Sequence, residues 1–534
     1  MDNLLAGSVF WRICTAVASW LCALGRSCVL FRTLGRWWRG SALCAWLCRH
    51  LAAEPKPTAC SGTTARLSRL NIRLAQRHGL KSAWPHSIPG RLYGAIVRCG
   101  RESRCLCWLF SGGLTAMLLF ALGVYALLDY LLRDVLAVSA VASVWDEALM
   151  LLALLWLWWQ RMDRVRALRA RTNPLDLPVC VFLVTGFVLM CVVSPYFSIQ
   201  ISGYRATVQY LLWFFILTRL LRDRRDVMTL YLTLVAAAFA ISLHGIYQYI
   251  AGVPMPASWV AAAETAVRTR VYSIFGSPNI MGDYMVMFIP MAVALAYYTD
   301  RKPLQALAWF AALCMCIACL FTMSRGAWVA VAVTIVLFIA LVDRRLVWLV
   351  LLGGACLVLV PFVRTRIGFL FTDEFIAANT NGGRGERWVF GMELLQKNNP
   401  LLGVGLGMFG GAVAMQNQVL DWVDYFYMDN YYMKILVELG YVGLTAFILM
   451  LVCWAWTCAR ALFRTRPQGR SMHNSAYPLC AGMFSGLAGV LVHCYFENIF
   501  EEPYMMVYFW VITAMIVWLG FLHEPQRTTY GGRT

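Results

Sequence analysis

Arg270, Arg325 and Asp429 are charged side chains set in an otherwise apolar sequence. Arg270 lies in Arg268-Thr-Arg-Val-Tyr-Ser-Ile-Phe-Gly-Ser-Pro-Asn279. Arg325 lies in Phe321-Thr-Met-Ser-Arg-Gly-Ala-Trp328, and Asp429 opens Asp429-Asn-Tyr-Tyr-Met-Lys-Ile-Leu-Val-Glu-Leu-Gly440. Two cations and an acid at one water–lipid boundary suit a phosphorylated lipid. A guanidinium makes charge-assisted bonds to phosphate oxygens, and a carboxylate can take a proton from an attacking hydroxyl. Arg205, in Ser202-Gly-Tyr-Arg205, and Arg384, in Gly382-Gly-Arg-Gly-Glu-Arg-Trp388, are two more cations assigned to the same side. Several such groups converging on a bilayer mouth would clamp a diphosphate.

Each residue also has a plainer reading. An Arg at a helix end snorkels at little cost. Pro278-Asn279 is ordinary helix-start chemistry. Asp429, followed by Asn430, is a good N-cap for the apolar run behind it. His493 and Glu497, at i and i+4 near an outer helix end, either join the site or only stabilise that end. One consideration favours function for the arginines: on the outer side a cation runs against the usual loop-charge bias.

The elements that must position these residues are apolar helices. The chain has 534 residues, 60% of them hydrophobic, with a mean hydropathy of +0.64. Runs of about 20 apolar residues alternate with short polar loops, as in a polytopic helical membrane protein. Period-2 alternation is absent, which excludes a spanning β-barrel. The fold class expected is an all-α integral membrane protein with about twelve transmembrane helices. They fall near 106–128, 141–160, 178–196, 204–221, 227–250, 279–299, 303–323, 327–342, 346–363, 430–457, 476–496 and 503–522. Loops rich in Arg and Lys (161–171, 219–225, 300–302, 343–345 and 460–470) alternate with loops containing the candidate residues. The positive-inside rule puts the basic set and both termini in the cytoplasm.

The domain organisation follows. Residues 1–105 form a basic, partly amphipathic cytoplasmic arm, 106–522 the transmembrane domain and 523–534 a cytoplasmic tail. Within the domain, 364–429 is the single large extracytoplasmic loop. Arg387–Gln396 reads there as a helix, and Asn399–Gly407 as turn-rich. A long loop with its own structure is a candidate substrate lid.

The net charge of +19 is uneven. Residues 1–108 hold 16 Lys+Arg against 3 Asp+Glu, a balance of +13. Leu67, Leu70 and Leu74 share a helical face beside Arg66, Arg69, Arg73 and Arg77, a pattern that suits anionic membrane lipids. Nucleic acid is disfavoured, because the cations are tied to a membrane body. The 19 cysteines lie in the arm and in apolar runs, and read as small hydrophobes rather than a disulfide framework. No Cys or His spacing suggests a metal site, and no cofactor is expected.

A set of short motifs, in order, resembles the O-antigen ligase / O-antigen polymerase superfamily. They are Trp145-Asp-Glu147, Gly245-Ile-Tyr-Gln248, Arg270 with Ser277-Pro-Asn279, Ser324-Arg-Gly326, Pro400-Leu-Leu-Gly-Val-Gly405, and Asp429-Asn430 with Glu438-Leu-Gly440. The likeness runs from about residue 110 to 522. It implies a polytopic, metal-independent C-type glycosyltransferase in the bacterial inner membrane. Such proteins move a glycan from undecaprenyl diphosphate to a glycan, lipid or protein hydroxyl, with inversion at the anomeric centre. Arginines at the positions of Arg270 and Arg325 would bind the diphosphate. The position of Asp429 is typically a His in the ligases, where it is the base. An Asp is the weaker proton acceptor, so Asp429 either suffices as base or orients the acceptor while another group takes the proton. A secondary transporter or lipid flippase is the rival from a different class. Against it stand the absence of a half-to-half repeat and the gathering of ionisable groups at one face.

Overall fold

The computed structural model describes residues 84–103, 112–161, 173–193, 195–256, 269–373, 383–419, 425–467 and 472–523. Most of the arm, including 65–78, lies outside these. The helices of six residues or more are α1 (Ile88–Glu102), α2 (Gly113–Gly123), α3 (Tyr125–Tyr130), α4 (Trp145–Arg161), α5 (Asp176–Val192), α6 (Phe197–Val208), α7 (Leu212–Leu220) and α8 (Arg224–Ala251). They continue as α9 (Pro278–Tyr298), α10 (Lys302–Phe321), α11 (Arg325–Leu341), α12 (Leu346–Val358), α13 (Pro361–Gly368), α14 (Arg384–Lys397), α15 (Ala412–Asn417), α16 (Tyr431–Thr465), α17 (Ala476–His493) and α18 (Pro503–Val517). Among the described residues the only β-type pairing is an isolated bridge between Asn399 and Gly403.

The described residues form helices and no named strand, as expected, and the described parts of the expected apolar runs are largely helical. Among the described residues, six helices qualify as membrane spans by length and composition: α8, α9, α10, α16, α17, and α18 with the turn that extends it. A seventh exists if α2 and the stretch Tyr125–Val135, bent by 74° from it, form one broken span. The runs expected at 178–196, 327–342 and 346–363 are shorter apolar helices. The run 204–221 is broken by a tight turn at Gln209–Leu211.

Helix boundaries follow local chemistry. Asp223 caps α8 by accepting from the Asp226 N–H at 2.9 Å, a cap typically worth about 1 kcal/mol. Pro278 occupies the first turn of α9, where its missing N–H costs nothing. Cys314, Cys319, Cys458 and Cys480 are buried free thiols inside the helices. The middle of the bundle is α9 and α18, each 89% buried over its most apolar stretch. Glycines on α17 let it press against α9 and α11: a Cβ on Gly486 would strike the Met287 carbonyl, and one on Gly482 would sit 2.6 Å from Pro290 O. In lipid, where helix association relies on close packing rather than on exclusion of water, such small residues set the interface.

One helix is interrupted. At Gly440 in α16 the backbone takes φ 65°, ψ −172°, a region essentially closed to side-chain-bearing residues. An unbroken helix would pair Val437 O with the Tyr441 N–H and Glu438 O with the Val442 N–H. Here the N–H groups of Val404 and Gly405 donate to Val437 O and Glu438 O, each at 2.9 Å. The Tyr441 and Val442 N–H groups donate to Pro400 O (2.9 Å) and Leu401 O (3.1 Å). The Glu438 carboxylate accepts from the Gly407 (2.9 Å) and Phe409 (3.3 Å) N–H groups. The turn-rich stretch is thus stitched into the gap of the broken helix.

Two stability predictions arise. Gly440→Ala should cost at least about 1–3 kcal/mol, read as a lower melting temperature of the detergent-purified protein; an unchanged melting temperature would contradict the role of the break. Gly486→Leu should separate α17 from α9 and reduce the folded, monodisperse fraction in size-exclusion chromatography, since over-packing costs about 1–3 kcal/mol.

Candidate functional site

The turn Thr322–Arg325, between α10 and α11, is where three arginines meet. Met323 takes positive φ (55°), and the Ser324 hydroxyl accepts from the Ala327 N–H at 3.4 Å to start α11. Arg325 follows at once, its guanidinium 5.5 Å from the centre of the Phe369 ring. Buried Arg270 donates from Nε to Thr322 O at 3.0 Å. Buried Arg366, on α13, donates from Nε to Met323 O at 3.1 Å.

The segment carrying Arg270 is held from α8. The side chain of Gln248 accepts from the Ser273 N–H at 2.7 Å and donates to Ser273 O at 3.0 Å. Val271 N–H reaches Phe321 O at 3.1 Å. The absent side chain of Gly245 makes room, since a Cβ there would lie 2.9 Å from Val271 Cγ1. The stretch Gly245–Gln248 therefore positions Arg270 without touching its guanidinium.

A polar chain leads on from Arg270. Its Nη2 donates to Asn279 Oδ1 at 3.1 Å, and Asn279 Nδ2 donates to Glu497 Oε2. Asn279 is thus a bridge, while Ser277 occupies the cap position of α9. Glu497 lies in the turn after α17, its N–H on His493 O at 3.0 Å. Burial pushes the Glu497 carboxyl above the usual range, the charge of Asp429 adds to this, and His493, Arg384 and Asn279 oppose it. His493 is buried, with Nδ1 3.0 Å from Asp283 Oδ1. Its ring packs on the start of α11, where a Cβ on Gly326 would lie 2.7 Å from Nε2.

Asp429 is held by two arginines of α14. Arg387 Nη1 donates to both carboxylate oxygens, at 3.0 and 3.2 Å, and Arg384 Nε donates to Oδ2 at 3.3 Å. The cap of α16 is Asn430, whose side chain accepts from the Met433 N–H at 3.1 Å. Asp429 is therefore not the cap that its position before an apolar run also suggests. The lid helix expected at 387–396 spans Arg384–Lys397, and it carries both guanidiniums. Behind it, Lys434 pairs with Glu501, whose other oxygen accepts from the Ala412 N–H at 2.7 Å. Burial raises the Glu501 carboxyl, but Lys434 outweighs it and holds the group below the usual range.

Arg205 has different company. It pairs with Glu147 and donates to Gln209 at 2.9 Å, while Gln209 also donates to Glu147 at 3.1 Å. Trp145 Nε1 donates to Asp129 at 3.0 Å, and Tyr210 to Asp146 at 3.0 Å. Trp145-Asp-Glu147 thus ties α4 to the break between α6 and α7. None of the hydrogen bonds of Arg205 reaches the turn at Thr322–Arg325.

The structure therefore brings together Arg270, Asn279 and Glu497, sets Asp429, Arg384 and His493 close enough to act on Glu497, and leaves Arg205 with Glu147. Arg366 and Arg387 were not singled out from sequence. Arg387 stands three residues after Arg384 in a stretch already quoted, and i, i+3 spacing on a helix was the signal for it. Arg366 had none, because it falls just past an apolar run like any loop cation. Among the described residues, the guanidiniums of Arg270, Arg325, Arg366, Arg384 and Arg387 and the carboxylates of Asp283, Asp429 and Glu497 lie in or next to this region. Among the described residues no group of three or more His, Cys, Asp or Glu is placed to hold a metal ion.

No curated protein matches the sequence. Residues 310–448, which include Arg325, Arg384, Asp429 and the broken helix at Gly440, match the family model described as O-antigen ligase. Over this region, about a quarter of the chain, the sequence is similar to that family.

Proposed function

We propose that the protein is a membrane glycosyltransferase of the O-antigen ligase or polymerase type, moving a glycan from undecaprenyl diphosphate to an acceptor hydroxyl. The observation that carries this is the meeting of Arg270, Arg325 and Arg366 at one turn, inside or beside the region that matches the family. In the mechanism, Arg270 and Arg325 hold the diphosphate, with Arg366 beside them. They stabilise the charge that grows on the leaving oxygen as the anomeric C–O bond breaks, the kind of preorganised electrostatics that usually supplies the largest catalytic term. The acceptor hydroxyl attacks from the opposite face and inverts the centre, with no metal required. The outer segment 383–429 covers the reaction and contacts the acceptor. Acceptors of matching chemistry are a lipid A core sugar, a second repeat unit, a protein hydroxyl or a wall polymer.

The finer topology belongs to the same reading. The shorter apolar helices, together with α4 and the α6–α7 pair, complete about twelve crossings of a bacterial inner membrane, with both termini cytoplasmic and the site outside. The basic arm lies on anionic lipid. In support, α1 exposes Ile88, Leu92 and Ile96, spaced by four, beside exposed Arg91, Arg98 and Arg101. That pattern suits a helix lying flat at an anionic interface.

Arg325→Ala and Asp429→Ala should each lower glycan transfer by at least 10²-fold, the order seen on removal of a preorganised charge, with the protein still in the membrane. The readout is the mass of lipid-linked glycan and of product in proteoliposomes. Full activity in either variant overturns the assignment. One observation favours the rival reading of a transporter or flippase: broken helices at Gly440 and between α2 and α3 are a feature that transporters share. Net movement of lipid-linked glycan between leaflets without a change in product mass would support that rival.

A further inference from the structure

Asp429 and Glu497 are two carboxylates of one cluster, with different surroundings. Both oxygens of Asp429 take guanidinium bonds from Arg387 and Arg384. Three of the roughly four acceptor sites of the Asp429 carboxylate are thus taken. Glu497 is partly buried. Among the described residues, the one hydrogen bond to its carboxylate comes from Asn279 to Oε2, which leaves Oε1 to meet a hydroxyl. Asn279 is in turn fixed by Arg270 at 3.1 Å, so Glu497 stands two hydrogen bonds from a guanidinium assigned to the diphosphate.

We propose that Glu497 takes the proton from the acceptor hydroxyl, and that Asp429 is a positioning residue that holds Arg384 and Arg387 over the site. This rests on the glycan-transfer reading above. In the step, the acceptor oxygen forms the new bond to the anomeric carbon. The bond from that carbon to the diphosphate oxygen breaks, and its electron pair leaves with undecaprenyl diphosphate. The hydroxyl proton passes to Glu497 Oε1 and from there to water. A carboxyl raised by burial is a better acceptor at neutral pH than an ordinary one. The charged groups that act on Glu497 are Asp429 and Arg384 from the outer segment and His493 from its own turn. Arg270 lies behind Asn279, and Asp283 behind His493.

The sign for activity follows from this. The step needs the carboxylate, so kcat falls as pH drops through the raised Glu497 pKa, and the acidic limb lies above the ordinary carboxylic range. The experiment uses full-length protein in proteoliposomes, with membrane lipid extract from cells lacking the protein as donor and acceptor. Glu497→Gln should lower kcat by about 10²–10⁴-fold, leave KM for the donor near its wild-type value, and remove the acidic limb from the residual activity. Asp429→Asn should lower activity but keep that limb. Asn279→Ala, which removes a bond favouring the charged form, should shift the limb to higher pH, a change that a merely structural role would not produce. Glu497→Asp should restore part of the rate. A limb lost in Asp429→Asn and kept in Glu497→Gln makes Asp429 the base and overturns the proposal, as does Glu497→Gln with kcat within tenfold of wild type. A wild-type protein that transfers nothing overturns the glycan-transfer reading itself, a result distinct from either.

Discussion

The break in α16 at Gly440 organises the outer half of the molecule. A helix interior with four unpaired backbone groups is untenable in a buried, low-dielectric place, where each orphan costs about 1–3 kcal/mol. Residues 400–405 supply all four partners, and Glu438 adds two more bonds to the next turns. The long loop is therefore not a tether over the membrane. Its second half is part of the helix bundle, and α14, which ends at Lys397, has a fixed place. Only then can Arg384 and Arg387 hold Asp429, the residue just before the cap of α16.

The same logic of satisfied groups governs the charges. Arg270 and Arg366 are buried, and both donate to carbonyls of one turn. Backbone oxygens orient the two guanidiniums. Elsewhere carboxylates meet the cations: Asp429 on α14, Glu501 on Lys434, Glu147 on Arg205. Charge buried around the turn at Thr322–Arg325 acts strongly, because little water screens it.

Much of the fold was legible in the sequence. Apolar runs near 20 residues dictate helices because nothing else satisfies the backbone in lipid, and the described parts of the expected runs are largely helical. The family region was legible from motifs whose meaning is physical. Gly440 is needed for a forbidden backbone angle, Pro400–Gly405 for the strand-like filler, and Gln248 for the clamp on Ser273. Arg270, Asn279 and Glu497 were candidates separately, but nothing in their spacing joins them.

Hydropathy thus determines that the chain is built of apolar helices, because this depends only on local composition and on transfer from water to lipid. The tertiary structure decides which polar groups share a site. It separates Arg205 from Arg270, recruits Arg366 and Arg387, ties Asp429 into ionic hydrogen bonds, and hands Asn279 to Glu497. Those pairings rest on how α9, α13, α14 and α17 pack, and packing partners across more than 200 residues of sequence leave no mark in local periodicity.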